Sequence, residues 1–188
     1  MAREHERRFR GAAERLRAPE RIVLMEVDRV VTLVLEGLEA PRVLDVGTGT
    51  AVFAEAFAAR GLSVAGIDAN PSLLKAAKTF APDVDFKVGT AEAIPYGDGS
   101  FDLAFLGHVL HEADDPVAAL REARRVSRKR VAVLEWPFVR EEHGPPLAHR
   151  LEADAIARMA ERAGLGRIER VSLTHMELYR MAVKTGSP

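Results

Sequence analysis

Arg42-Val43-Leu44-Asp45-Val46-Gly47-Thr48-Gly49-Thr50 reads as a buried strand that runs into a glycine turn and then a helix. Asp45 closes this strand, and a second acid, Asp68, closes the next apolar run, Leu62 to Ile67. Glycines at 47 and 49 let the backbone approach a ligand with no Cβ in the way. A carboxylate at the tip of the second strand suits the hydroxyls of a ribose. Together these residues predict a nucleoside-bearing cofactor held across the carboxyl ends of a parallel sheet.

Outward from this stretch, short apolar runs alternate with helical patterns. Strand 43–46 precedes helix 50–60, which ends at Gly61, and strand 62–67 precedes a helix from Pro71 to Phe80. Strand 84–88 leads into a loop with Pro95, Gly97 and Gly99. Strand 101–106 precedes a helix starting near Pro116, and strand 130–135 ends at Glu135-Trp136-Pro137. Five strands separated by helices form a parallel sheet covered on both faces. After Gly144-Pro145-Pro146, a helix over about 148–163 is followed by two adjoining strands, 167–173 and 177–184, with no helix between them. The expected fold class is therefore α/β: Rossmann-like, doubly wound, with a mostly parallel seven-stranded sheet, helices on both faces and a C-terminal antiparallel hairpin. Ahead of the first strand, residues 3–17 are rich in Arg, Glu and Ala, which favours a helix. A second helix is expected from Pro19 to Gly37, with Ile22, Val23, Met25, Val30, Leu33 and Val34 on one face. The organisation expected is a single domain, 1–188, with an N-terminal helical cap (1–37) ahead of the Rossmann-like core (42–188).

Composition narrows the chemistry. The formal charge is 27 − 28 = −1, so no global field recruits nucleic acid or an anionic membrane. Without cysteine there are no disulfides, thiolate metal sites or cysteine nucleophiles. No H-x-x-x-H or H-E-x-x-H spacing occurs, so no metal site is expected. The first ten residues are too charged for a signal peptide, and the apolar run Val30 to Leu35 is too short to cross a bilayer. A cytoplasmic protein is the expectation. Glutamine is absent, asparagine occurs only as Asn70, and arginine outnumbers lysine, a composition that leans towards a thermophile source.

Two cofactor classes fail on particular residues. A dinucleotide loop of the form G-x-G-x-x-G needs a third glycine where Val52 stands, and a P-loop needs a Lys-Ser or Lys-Thr pair that is missing. No Lys or Arg lies between Leu44 and Ala59 to neutralise a pyrophosphate. An acid just before the glycines suits a ligand with positive charge. S-adenosylmethionine (SAM), with its ammonium and sulfonium, meets that requirement.

V-L-D-V-G-T-G-T, G-I-D-A-N-P, G-T-A-E-A-I-P-Y, F-D-L-A-F-L-G-H-V-L-H-E and V-L-E-W-P occur in order along the chain. Here the chain resembles the class I SAM-dependent methyltransferases of the UbiE/menaquinone-biosynthesis-like type, closely over 40–137 and loosely beyond. The resemblance implies SAM as cofactor and S-adenosylhomocysteine (SAH) as product. It implies that Asp45, Gly47, Thr48 and Gly49 form the turn around the methionyl part. Asp68 would accept from both ribose hydroxyls, and Ala69 would pack beside the adenine. Thr90 replaces the family's usual aspartate, so Thr90, Ala91 and Glu92 are the candidate adenine contacts. Ala51 stands at the family's usual third glycine. Leu106, Gly107 and His108 would lie near the methionine moiety and the methyl group.

Each assignment has a structural alternative. Asp45 could brace the turn or cap the following helix, and Asp68 could make an Asx turn ahead of Asn70-Pro71. His108 and His111, three apart on an expected short helix, are candidates for acceptor contact or proton transfer. Equally, one could pack against the sheet and the other cap a helix. Arg121, Arg124, Arg125, Arg128, Lys129 and Arg130 could bind RNA, but without interleaved aromatics a solvated helix end is the stronger reading. The segment 136–149 is short and offers one aromatic pair, which favours a compact pocket for a small-molecule methyl acceptor over a groove for a polymer. RNA or protein methylation, and a SAM-binding partner without turnover, are the alternatives. Nucleic acid and membrane are not expected partners, and a homodimer is left open.

Overall fold

The computed structural model describes residues 13–183. Three helices come first: α1 (Ala13–Leu16), α2 (Pro19–Leu24) and α3 (Val27–Leu35). Then β1 (Val43–Val46), α4 (Val52–Ala58), β2 (Val64–Asp68), α5 (Pro71–Phe80) and β3 (Asp85–Val88) alternate. They are followed by β4 (Phe101–Gly107), α6 (Pro116–Val126), β5 (Ser127–Glu135), α7 (Ala153–Arg162) and the hairpin of β6 (Leu165–Ser172) and β7 (Glu177–Val183). The strands form one sheet in the order β3-β2-β1-β4-β5-β7-β6. β1 to β5 pair in parallel, and β7 runs antiparallel to both β5 and β6. This is the expected doubly wound sheet with its terminal hairpin.

Strand alternation divides the core into two layers. Leu44, Val46, Ala104, Leu106, Val131 and Val133 face α6 and α7. Val43, Leu103, Phe105, Ala132 and Leu134 face α3, α4 and α5, with Phe53 and Phe57 packed against the Phe105 ring. The order of β1 flanked by β2 and β4 creates the switch point where chains diverge to opposite faces, and a crevice opens there at the strands' carboxyl ends.

Several expectations need correction. The helix expected over 19–37 breaks at Glu26, which takes a left-handed conformation (φ 46°). Its carboxylate accepts from Arg29 and from the Thr174 backbone N–H of the β6–β7 turn, tying this non-helical residue in place. α3 is also no mere cap: Val30, Val31 and Val34 are fully buried against the sheet. Its C-terminal carbonyls, otherwise unsatisfied, accept from two strand arginines: Leu33 from Arg180, and Val34 and Glu36 from Arg130. Among the described N-terminal residues, Leu16, Arg21 and Met25, all before Glu26, line the crevice at the strand ends. The helix expected over 3–17 falls mostly outside the described residues.

The basic run departs further. α6 ends at Val126 and β5 begins at once, so Arg128, Lys129 and Arg130 lie on a strand and not at a helix end. Arg125 is bound to Glu122, Asp98 and the Tyr96 and Ile94 carbonyls, and Arg128 and Lys129 pair with Asp102. These cations serve the fold. Finally, the helix expected from about 148 starts only at Ala153, after a 3-10 turn over Leu147–His149.

Candidate functional site

A cavity of about 880 Å³ opens over the carboxyl ends of β1, β2 and β4. At one end, the turn after β1 is held by the side chains of the two strand-closing acids. Asp45, 2% exposed, accepts through Oδ2 from the Thr48 hydroxyl (2.6 Å) and the Ala54 N–H (3.2 Å). Asp68 accepts from the Gly49 N–H through Oδ2 (2.9 Å) and from the Asn70 N–H through Oδ1 (2.8 Å). Both structural roles foreseen as alternatives, the braced turn and the Asx turn, are therefore present. Asp45 Oδ1 and both Asp68 oxygens retain lone pairs beyond these bonds, and both acids line the cavity.

Glycine suits the turn at both positions, 47 and 49. Gly47 has φ 66°, and a Cβ there would lie 2.2 Å from a methyl of Val109. Ala51, at the expected third glycine, also adopts a left-handed conformation (φ 65°) and starts α4. Alanine occupies a conformation that costs an L-residue roughly 1–2 kcal/mol, and its methyl is fully buried in return.

Burial raises both acids above the ordinary carboxylate range. Asp45 is pushed up to about 7, with the nearby Asp68 adding to the rise and the bonds from Thr48 and Ala54 opposing it. Asp68 moves in the same direction, opposed by its two backbone donors.

Of the residues expected at the cofactor, Asp45, Gly47, Thr48, Gly49, Asp68, Ala69, Thr90, Ala91, Glu92 and His108 all line the cavity. Gly107 does as well. Leu106 does not: it points into the core towards α6 and is fully buried there, because strand alternation sends 106 and 107 to opposite faces. Glu92 also accepts from the Asp114 N–H, which links the third strand's loop to the loop after β4.

The other end of the cavity is built from distant segments. His108 and His111 sit in a turn, not on the expected helix. His108 is left-handed (φ 60°), anchored through its N–H to the Leu134 carbonyl, and its ring packs against Trp136 at 5.3 Å between centroids. Neither ring nitrogen has a hydrogen-bond partner among the described residues, although the residue is only 9% exposed. Burial, with Arg21 and His111 nearby, holds its pKa well below the ordinary value, so the ring is neutral.

His111 differs. Its Nδ1 lies 2.7 Å from Oε2 of Glu135, whose Oε1 accepts from the His111 N–H at 3.2 Å. Burial opposes the charged imidazole, but Glu135 and Glu112 outweigh burial and Arg21, and the pKa is raised. Neither histidine caps a helix.

Glu135 and Arg21 went unforeseen as site residues, whereas Trp136 and His149 belong to the segment 136–149 expected to bound the acceptor. Glu135 carried a signal, since it ends β5 as Asp68 ends β2, with Asp45 one residue before the end of β1. Arg21, on α2, carried none: it is one arginine among many in an amphipathic segment. Among the described residues, no group of acids and histidines is suited to hold a metal ion. No helix among them is long and apolar enough to cross a membrane.

Residues 44–134 match the model of a methyltransferase domain. The demethylmenaquinone methyltransferase of Renibacterium salmoninarum is 34% identical over 117 residues, 62% of this chain and 49% of that one. Over this stretch the chain is similar to class I methyltransferases of the UbiE-like family. It spans about half the length, or less, of the curated relatives it matches. Among solved structures, a SAM-dependent methyltransferase from Aquifex aeolicus covers 92% of this chain and 97% of its own, with a TM-score of 0.79 and 23% identity. The cyclase SpnF is 29% identical with a TM-score of 0.63, covering 77% of this chain and 60% of its own. The methyltransferase fold is thus found beneath a protein named for another reaction.

Proposed function

We propose that this chain binds SAM in the crevice and transfers its methyl group to a small-molecule acceptor. The observation that carries the reading is the pair of acids, buried Asp45 and half-buried Asp68, around a glycine turn that lines the cavity. Burial holds both carboxyls above their usual pKa, only partly opposed by their hydrogen-bond donors. The cavity is large enough for a nucleoside with its amino-acid tail and a small acceptor. The residues present therefore fit the group. Asp68, with both oxygens already aligned by backbone donors, would hold the ribose hydroxyls. Asp45, Gly47 and Gly49 would lie along the methionyl part, and Thr90, Ala91 and Glu92 around the adenine.

When bound, SAM supplies an electrophilic methyl on a sulfonium, so the chain need not activate a leaving group. The protein's task is placement: the rim of Trp136, Pro145 and Pro146 excludes water and aligns the acceptor. Alignment of that kind contributes about 7–11 kcal/mol to lowering a barrier. The similarity to demethylmenaquinone methyltransferases supports a small-molecule acceptor. Engagement of Arg125, Arg128 and Lys129 in internal ion pairs also weighs against RNA as acceptor.

Calorimetry with SAM and with SAH tests the first half of this reading. Transfer of labelled methyl to a metabolite extract tests the second. Micromolar binding with label in a small product is expected. An absence of binding to either ligand would overturn the proposal, and binding without transfer across a wide panel would favour a partner protein without turnover.

A further inference from the structure

The acceptor end of the cavity contains more chemistry than placement requires. His111 and Glu135 form a buried imidazole–carboxylate pair, with Nδ1 committed to Oε2 at 2.7 Å. A carboxylate at Nδ1 fixes the tautomer, leaving the lone pair on Nε2. Nε2 lies 3.9 Å from Glu112 Oε1, beyond hydrogen-bond reach, and His111 lines the cavity. The carboxylate itself is rigid, since it also accepts from the His111 backbone N–H and is 2% exposed. Facing the pair from α2 is Arg21, a cavity-lining guanidinium. It forms no hydrogen bond or close ion pair among the described residues, and Glu112 offsets its charge only at longer range. His108, buried with both ring nitrogens unpartnered, completes the lining.

An acceptor that is already nucleophilic, such as an unprotonated amine or a thioether, needs none of these groups. From their arrangement we infer that the acceptor is an acidic hydroxyl compound of the phenol or enol class, with His111, held by Glu135, as its general base and Arg21 facing the resulting oxyanion. This rests on the SAM-binding reading above. The acceptor's O–H bond breaks and its proton passes to Nε2 of His111. The freed oxygen pair then forms the O–CH3 bond as the methyl's bond to sulfur breaks, and the sulfur keeps that electron pair to become a thioether. The imidazolium left behind is stabilised by Glu135 and Glu112 and opposed by Arg21, the charged groups that face it. His108 remains neutral and can bond to the acceptor without competing for its proton.

The sign of the pH dependence follows. The base form of His111 exists above its raised pKa, so transfer falls as pH drops through a value above the ordinary 6.5. Glu135→Gln removes the largest stabilising charge and should move that limb to lower pH.

The test uses 4-nitrophenol, whose anion is coloured, on protein saturated with SAH, with 4-nitroanisole as the uncharged control. The protein should bind the phenol as its anion, at pH values at least about one unit below where the free phenol ionises. The phenol should also bind at least about tenfold more tightly than the anisole. His111→Gln and Glu135→Gln should abolish the early ionisation while SAH affinity holds, with any fall in melting temperature read separately. Arg21→Met should weaken anion binding about tenfold. Labelled-methyl transfer in the His111 variant should fall by about 10²–10⁴-fold, the range of general-base catalysis. Equal binding of phenol and anisole, or unchanged ionisation in His111→Gln, would overturn the inference while leaving SAM binding intact. Failure of the wild-type chain to bind SAH would instead remove the reading beneath it.

Discussion

The two ends of the cavity are built by different rules. The proposed cofactor end centres on one continuous stretch, 45–54, with the tip of β2 and the loop after β3 beside it, and its two aspartates accept from nearby backbone N–H groups. The acceptor end is assembled from α2, the turn after β4, the end of β5 and the 136–149 segment, and its polar groups pair across 24 residues or not at all. A site made from local backbone geometry can be read from sequence spacing. One made from side chains that meet only after folding leaves almost no spacing to read.

That contrast can be broken most decisively at Asp68. Asp68→Ala should weaken SAM binding by about 10²–10³-fold, since bonds to a charged acceptor contribute roughly 1.5–3 kcal/mol each. Unchanged affinity in calorimetry would take Asp68 out of the site and leave it as an Asx turn alone. Next, Gly47→Ala tests whether the turn itself is rigid. The added methyl would meet Val109 and the backbone is left-handed, so a loss of about 2–3 kcal/mol is expected, a drop of roughly 4–12 °C in Tm.

A third experiment sets stability against function. The folded pKa of Asp45, about 7, exceeds the unfolded 3.8, so the folded state holds a proton that the unfolded state has lost between these values. Stability therefore falls as pH rises from about 4 to about 7 and is flat above. Asp45→Asn removes this penalty and should stabilise the free chain by on the order of 2 kcal/mol at pH 8, while SAM affinity falls. Melting curves at several pH values read the first effect and calorimetry the second. A variant that loses stability at pH 8 would make Asp45 purely a structural brace. The smallest effect is expected for Ala51→Gly. Relief of the left-handed strain and loss of a buried methyl nearly offset, for a net change below about 1 kcal/mol.

Much of the sheet was legible because its determinants are local. Pro71 and Phe80 bound α5 as expected, since Asn70 caps its first turn and proline suits the entry position. The apolar run 101–106 became β4 with one more residue. The break at Glu26 was not legible, because Val27 to Leu35 continues the helical periodicity and the cause, a bond to Thr174, lies 148 residues away. Leu106 was misplaced by treating a whole strand end as site lining, when alternation admits only every second residue. The basic run was misread because its partners, Asp98 and Asp102, sit on other elements.

The left-handed Glu26 has one more implication. It separates α3, pinned to the sheet by Arg130 and Arg180, from the short α2 that carries Arg21. Sequence change upstream of that joint can alter the wall of the cavity that Arg21 forms without disturbing the layer that supports the glycine turn. The proposed oxyanion contact is therefore mechanically decoupled from the proposed donor site.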